Sequence, residues 1–281
     1  MDINSYNSKI APTWCPGCGN FGIFTALKQA LTSLKLKPDQ LVIVTDVGCS
    51  GNMADFVNTY CFHALHGRAL PTAAGIKLAN HKLPVIVIIG DGGCYGEGLQ
   101  HYLSLMRGNH DLTVLVHDNY LYSLTTGQYS PTTPRGTMTK STPEGSIEEA
   151  LNPLALALAN HTSFCSRGYA FNISHLTDLI IKAINHRGFS LVDILQPCVT
   201  FNKFQTIDNW YSQKVFELKS SFKNKSQAIT ESLKTDKLAI GVFWQENKPT
   251  YHQQVSVLKN KSVVEKLIEK INISPLLEEF V

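Results

Sequence analysis

The sequence predicts an α/β fold, a doubly wound and mostly parallel sheet followed by a C-terminal extension. Four short runs dominated by Val, Ile and Leu, at 41–47, 84–90, 112–118 and 189–196, are separated by longer segments with helical spacing. Uniformly apolar strands suit a parallel sheet covered on both faces, and the intervening helices supply the cover. The chain has 281 residues, 43% hydrophobic and 17% charged, so it can build a full core without disulfides.

Taken in order, FGIFTALKQALTSL places Phe21, Phe24, Leu27, Leu31 and Leu34 on one stripe and predicts a helix. LVIVTDV (41–47) and PVIVIIG (84–90) are strands, GLQHYLSLMRG gives a helix over about 97–107, and LTVLVHD (112–118) and FSLVDILQ (189–196) are strands. Residues 125–145, crowded with Thr, Pro and Gly, predict a long loop. From about 208 the chain is more polar, with helical patterns in NWYSQKVFELKSSF and VVEKLIEKI around a strand-like LAIGVFW. Residues 1–207 are therefore expected to form the main domain and 208–281 the extension.

Several function classes are disfavoured. A net charge of +3 with scattered lysines makes no track for a nucleic-acid backbone. The N-terminal MDINSYNSKIAPTW contains no signal-peptide core, and no later apolar run approaches the ~20 residues that span a bilayer. The expectation is a cytoplasmic protein with no membrane partner, whose seven cysteines are metal ligands, catalytic groups or buried small hydrophobes.

The strand at 84–90 stops at GDGG, and the next strand stops at Asp118-Asn119. A right-handed crossover makes such strands neighbours, which brings Asp91 beside Asn119 at the sheet edge where α/β proteins bind ligands. One carboxylate and one amide oxygen suit Mg²⁺, which takes six oxygens and leaves part of its shell to a diphosphate. Gly92 and Gly93 would let backbone amides approach that phosphate. A solvated strand-end turn would also use Asp and Gly, but not the asparagine 28 residues later. Other phosphate motifs fail: GxxxxGK[ST] is absent, and Gly17, Gly19 and Gly22 follow no strand.

TWCPGCGNFG supplies Cys15 and Cys18, which alone could be half a zinc site, a redox pair or part of an iron cluster. A second CxxC or an HxxxH partner for zinc is lacking. Cys49 and Cys198 instead follow strands at 41–47 and 189–196, so four thiols are expected at the rim that holds Asp91, where a 4Fe-4S cluster is the economical reading. Cys61, Cys94 and Cys165 are expected to be buried and inert.

A GDGG…DN motif resembles the thiamine diphosphate motif. Together with CPGCG, GCSG, a late QPC, FHALHGRALPTAAGIKLAN, VHDNYLYSLTTGQYSPTTPRG and GVFWQENKPTY, it resembles the β subunit of 2-oxoacid:ferredoxin oxidoreductases of the short two-subunit type, over about residues 10–251. The resemblance implies Cys15, Cys18, Cys49 and Cys198 as 4Fe-4S ligands. It implies Asp91, Asn119 and the backbone oxygen of Leu121 as Mg²⁺ ligands. It also implies Val47, Gly48, Cys49, Ser50, His66, Gly92, Gly93, Ser123 and Leu124 around thiamine diphosphate.

The implied reaction is oxidative decarboxylation of a 2-oxoacid, of 2-oxoglutarate or pyruvate type, with coenzyme A, giving acyl-CoA, CO2 and reduced ferredoxin. The carboxylate that activates the cofactor's pyrimidine would come from an α subunit, in an αβ heterodimer or its double. The chain departs from the pattern at Gly93, where an acid is common, and at Thr126, where some relatives carry a lysine that would favour a charged substrate. Two other classes compete: a non-redox thiamine diphosphate decarboxylase or synthase, which has no use for four convergent cysteines, and a zinc-stabilised binding protein without catalysis.

Overall fold

In the computed structural model, residues 2–202, 207–266 and 272–280 are described, residues 207–209 without their side chains. The strands are β1 (Val42–Thr45), β2 (Tyr60–His63), β3 (Val85–Gly90), β4 (Leu112–Asp118), β5 (Leu121–Tyr122), β6 (Gln128–Tyr129), β7 (Phe164–Tyr169), β8 (Phe189–Leu195), β9 (Val215–Glu217) and β10 (Leu238–Gln245). Eight of them form one sheet in the order β2-β1-β3-β4-β8-β7-β10-β9. All neighbours are parallel except β7 and β10.

Helices α1 (Asn20–Ser33), α2 (Met53–Phe56), α3 (Ala69–Ala79), α4 (Leu99–Arg107), α5 (Pro153–Ala159), α6 (Ile173–Asn185), α7 (Ile207–Lys214) and α8 (Lys225–Ser232) surround it. Side chains alternate between the faces of a strand. Val85, Val87 and Ile89 of β3 accordingly join α3, α4, α5 and α8 in one core, while Ile86 and Ile88 join α1 and α6 in a second. That is why β3 reads as an unbroken aliphatic run. Each fully buried side chain of this kind stabilises the fold by about 1.5–3 kcal/mol.

The register positions the functional rim. Gly90 of β3 lies opposite His117 of β4, and Asp118 lies opposite Leu195 of β8. Asp91, Asn119 and Gln196 therefore emerge together, just beyond the C-terminal ends of three neighbouring strands.

Some expectations change. NWYSQKVFELKSSF is not one helix: α7 ends at Lys214, and Val215–Glu217 pairs with β10 as β9, because ladder hydrogen bonds and packing outweigh a weak local helical pattern. In VVEKLIEKI, only Val263–Glu265 forms a 3₁₀ turn, and 267–271 lie outside the described residues. The 125–145 loop contains β6, which pairs with β5 in a small hairpin. β2 and β7 were not expected. The first is four exposed residues, and the second, FCSRGY, carries an Arg and a Gly that break the aliphatic signal.

Gly51 follows the β1 turn, and a Cβ there would lie 1.6 Å from the Asp46 carbonyl oxygen. Gly51→Ala is expected to lower stability by at least about 1–3 kcal/mol, the usual cost of overpacking, read as a lower urea midpoint. No helix among the described residues is long and apolar enough to cross a membrane.

Candidate functional site

Asp91 leaves β3 as the N-cap of a π-helical turn, Gly92–Glu97, a wide turn that recurs at functional positions. Its carboxylate is buried and accepts hydrogen bonds from Thr132 Oγ1 (2.8 Å) and Ser130 Oγ, both from the loop after the β5–β6 hairpin. Burial nevertheless pushes the carboxyl up to about 6, with these bonds opposing the shift. Among the described residues no Lys, Arg or His forms an ion pair with this buried acid, which is suited to receiving a metal ion.

Asn119 supplies the second donor. Its amide oxygen accepts from the Leu121 backbone N–H (3.1 Å) and Ser123 Oγ (2.8 Å), and its Nδ2 donates to Gln196 Oε1 (2.9 Å). Tyr120 turns the chain in the left-handed region (φ 64°), which brings the Leu121 backbone round to the same side. The donors are all oxygens, as Mg²⁺ requires.

One cavity is lined by every residue expected to hold the cofactor and its metal: Val47, Gly48, Cys49, Ser50, His66, Asp91, Gly92, Gly93, Asn119, Leu121, Ser123 and Leu124. The glycines also serve packing. A Cβ on Gly92 would lie 2.2 Å from the Tyr122 ring, and one on Gly93 would lie 2.1 Å from Asp46 Oδ2. His66 precedes α3, with its Nδ1 3.1 Å from Asp46 Oδ2, its Nε2 3.6 Å from Glu97 Oε2, and its ring edge-on to Tyr122.

A second cavity contains Cys15, Cys18, Cys49 and Cys198. Trp14, packed edge-on against Phe21, Phe24 and Phe56, donates from its indole to the Cys49 carbonyl (2.7 Å). The Gly19 N–H donates to the Pro197 carbonyl (3.0 Å), which ties the CPGCG loop to the QPC loop. Burial pushes the Cys18 thiol up to about 12 and Cys49 to about 11, and the neighbouring thiols add to both shifts. Such thiols ionise together only when a cationic group compensates them.

Among the described residues, no three His, Cys, Asp or Glu side chains converge tightly enough for a single metal ion. The two cavities share Cys49, Asn119, Ser123 and Leu124 as a common wall.

Sequence reasoning missed Asp46, Gln196, Ser130, Thr132 and Tyr122. Asp46 had a local signal, since TDVG ends β1 much as GDGG ends β3, but its partners were invisible in one dimension. Cys94 and Cys165 are buried as expected, whereas Cys61 is exposed, because β2 is the edge strand of the sheet and all four of its residues are accessible. At Thr126, which lacks the lysine of some relatives, Lys140 Nζ reaches the hydroxyl at 2.5 Å.

A parallel sheet with a GDG turn and an asparagine at adjacent strand ends defines a thiamine diphosphate enzyme, and residues 46–194 match the family of thiamine pyrophosphate enzymes, C-terminal TPP binding domain. Residues 198–260 match the family that describes the C-terminal part of the pyruvate ferredoxin oxidoreductase β chain. The 2-oxoacid:ferredoxin oxidoreductase subunit β of Saccharolobus solfataricus is 44% identical over 86% of this chain and 85% of its own. That of Sulfolobus sp is 40% identical over 95% of each. A solved 2-oxoglutarate:ferredoxin oxidoreductase from Magnetococcus marinus, with 2-oxoglutarate, coenzyme A and succinyl-CoA bound, superimposes with a TM-score of 0.92 at 30% identity, covering 99% of this chain and 96% of that one. The chain belongs to the β subunits of the 2-oxoacid:ferredoxin oxidoreductases.

Proposed function

We propose that the chain works with an α subunit in the cytoplasm, oxidising a 2-oxoacid of 2-oxoglutarate or pyruvate type with coenzyme A and delivering electrons through a 4Fe-4S cluster to ferredoxin. The observation that carries this reading is the common wall between the two cavities, which would make a magnesium-bound cofactor and an electron acceptor neighbours.

Thiamine diphosphate, when bound, supplies the electron sink for decarboxylation. The chain's own residues do the rest. Asp91, Asn119 Oδ1 and the Leu121 carbonyl hold Mg²⁺. Val47, Gly48, Ser50, His66, Gly92, Gly93, Ser123 and Leu124 orient the cofactor and exclude water. Cys15, Cys18, Cys49 and Cys198 bind the cluster, with Gln196 donating from Nε2 to Cys18 Sγ (3.4 Å) while its other end fixes Asn119. Residues 208–281 would act as an extension of the 1–207 domain, a division supported by the position of β9 and β10 beyond β7 in the sheet.

The α subunit is the natural cover for the opposite edge. β2 is exposed throughout, with Tyr60 64% and Phe62 51% accessible, and beyond it Leu65, 78% accessible, precedes His66 at the cavity. The Lys140 ammonium, from the loop after β6, reaches Thr126 on the same turn as Ser123 and favours a substrate with a second carboxylate.

The αβ complex, co-expressed and purified without oxygen, should be brown, bleach with dithionite and reduce a viologen dye with a 2-oxoacid and coenzyme A. A panel of pyruvate, 2-oxoglutarate and branched or aromatic 2-oxoacids identifies the substrate, with 2-oxoglutarate expected to be turned over. Full-rate decarboxylation by the β chain alone would refute the shared site. A colourless protein with stoichiometric zinc would refute the cluster.

A further inference from the structure

We propose that Asp46 is the positioning residue for His66, and that its carboxylate occupies from β1 the place a side chain on residue 93 would otherwise fill. The inference rests on the reading of His66 as a cofactor-cavity residue.

Asp46 is the first residue beyond β1 and is fully buried. Its Oδ2 accepts a hydrogen bond from the Gly67 backbone N–H at 3.0 Å and lies 3.1 Å from His66 Nδ1. A carboxylate oxygen accepts, so the contact assigns the proton to Nδ1, while Nε2, on the far side of a ring that lines the cavity, lies 3.6 Å from Glu97 Oε2. Gly67 adopts φ +68°, and a Cβ there would lie 2.5 Å from Glu97 Cβ, so the segment bearing His66 is held on both sides. The bond to Asp46 raises the His66 pKa, with burial opposing it, which favours an Nε2–H facing an anionic oxygen.

A purely structural role explains Asp46 poorly. Its Oδ1 is buried and has no hydrogen-bond partner among the described residues, and such an atom costs stability. A residue kept only for folding would be better replaced by an apolar one. The retained acid is instead aimed at the one histidine of the cavity.

Gly93 gives the second half of the inference. A Cβ built on it falls 2.1 Å from Asp46 Oδ2, and its backbone is not in the left-handed region, so only space forbids a side chain there. The two positions are alternative origins for one carboxylate. The acid expected after GDG is not lost from this chain; Asp46 supplies it.

The test uses the αβ complex with thiamine diphosphate and magnesium. Asp46→Gly should raise the KM for thiamine diphosphate and lower kcat/KM by about 10–100-fold, the scale of lost supporting contacts. Gly93→Asp alone should be comparably impaired, because two carboxylates then compete for one space. The double variant Asp46→Gly/Gly93→Asp should recover to within about tenfold of the parent, a rescue that a general packing role does not produce. A double variant no better than Asp46→Gly, with unchanged Tm and cluster absorbance, would overturn the proposal.

If the glycine variants do not fold, the near-isosteric Asp46→Asn is combined with His66→Gln. Non-additive losses support the pair, and additive ones refute it. Parent complex that binds no thiamine diphosphate would defeat the cofactor reading itself, a failure visible before any variant is made.

Discussion

Asp91→Ala is expected to abolish turnover and to weaken thiamine diphosphate binding by more than the ~100-fold typical of contacts one shell further from a metal. Its carboxylate is the only charged member of the proposed Mg²⁺ shell, so water is a poor replacement. Isothermal titration with cofactor and magnesium measures the affinity, and the visible spectrum should be unchanged because no cysteine is touched. A variant that binds cofactor like the parent would remove Asp91 from the shell. Stability should move the other way. Without metal the carboxylate is buried and its pKa is raised to about 6, so at neutral pH the ionised form is unfavourable in the fold. Cofactor-free Asp91→Asn should therefore melt no lower than the cofactor-free parent.

Cys49→Ser is expected to eliminate the brown chromophore and to drop viologen reduction to background. Cys49 belongs to both cavities, so some effect on cofactor affinity is also expected, but less than about tenfold, or 1.4 kcal/mol. Iron analysis and cofactor titration on one preparation separate the two effects. Retained chromophore and retained dye reduction would exclude this cysteine as a ligand. Lost dye reduction with normal cluster content would instead assign it to the cofactor side.

The most legible parts of the sequence were those where one local signal sufficed. Aliphatic runs at 84–90 and 112–118 needed no knowledge of partners, and the parallel crossover then put Asp91 beside Asn119 by geometry alone. Cys49 and Cys198 could be placed because each follows such a run. β7 was not legible, because its Arg167 is buried opposite Asp193 of β8 in the ladder, a pairing of residues 26 apart that leaves no periodic trace. The Val215–Glu217 strand was hidden for the same reason, since β10 creates it. Gly93 shows the limit most clearly. In sequence it is a missing acid. In space it is the room that Asp46 needs, and only the fold joins positions 46 and 93.

The bare edge at β2 has a consequence for how the protein comes to exist in a cell. Unpaired strand edges flanked by aromatic side chains template further pairing, and most proteins blunt theirs with charge or a covering segment. Here Tyr60 and Phe62 stand uncovered on a strand without a single Lys, Asp or Glu. The chain expressed without the proposed α subunit is therefore expected to give less soluble protein than the co-expressed pair, and equal soluble yields would refute this. On that reading, four residues at the margin of the sheet would tie the yield of this chain to the supply of its proposed partner.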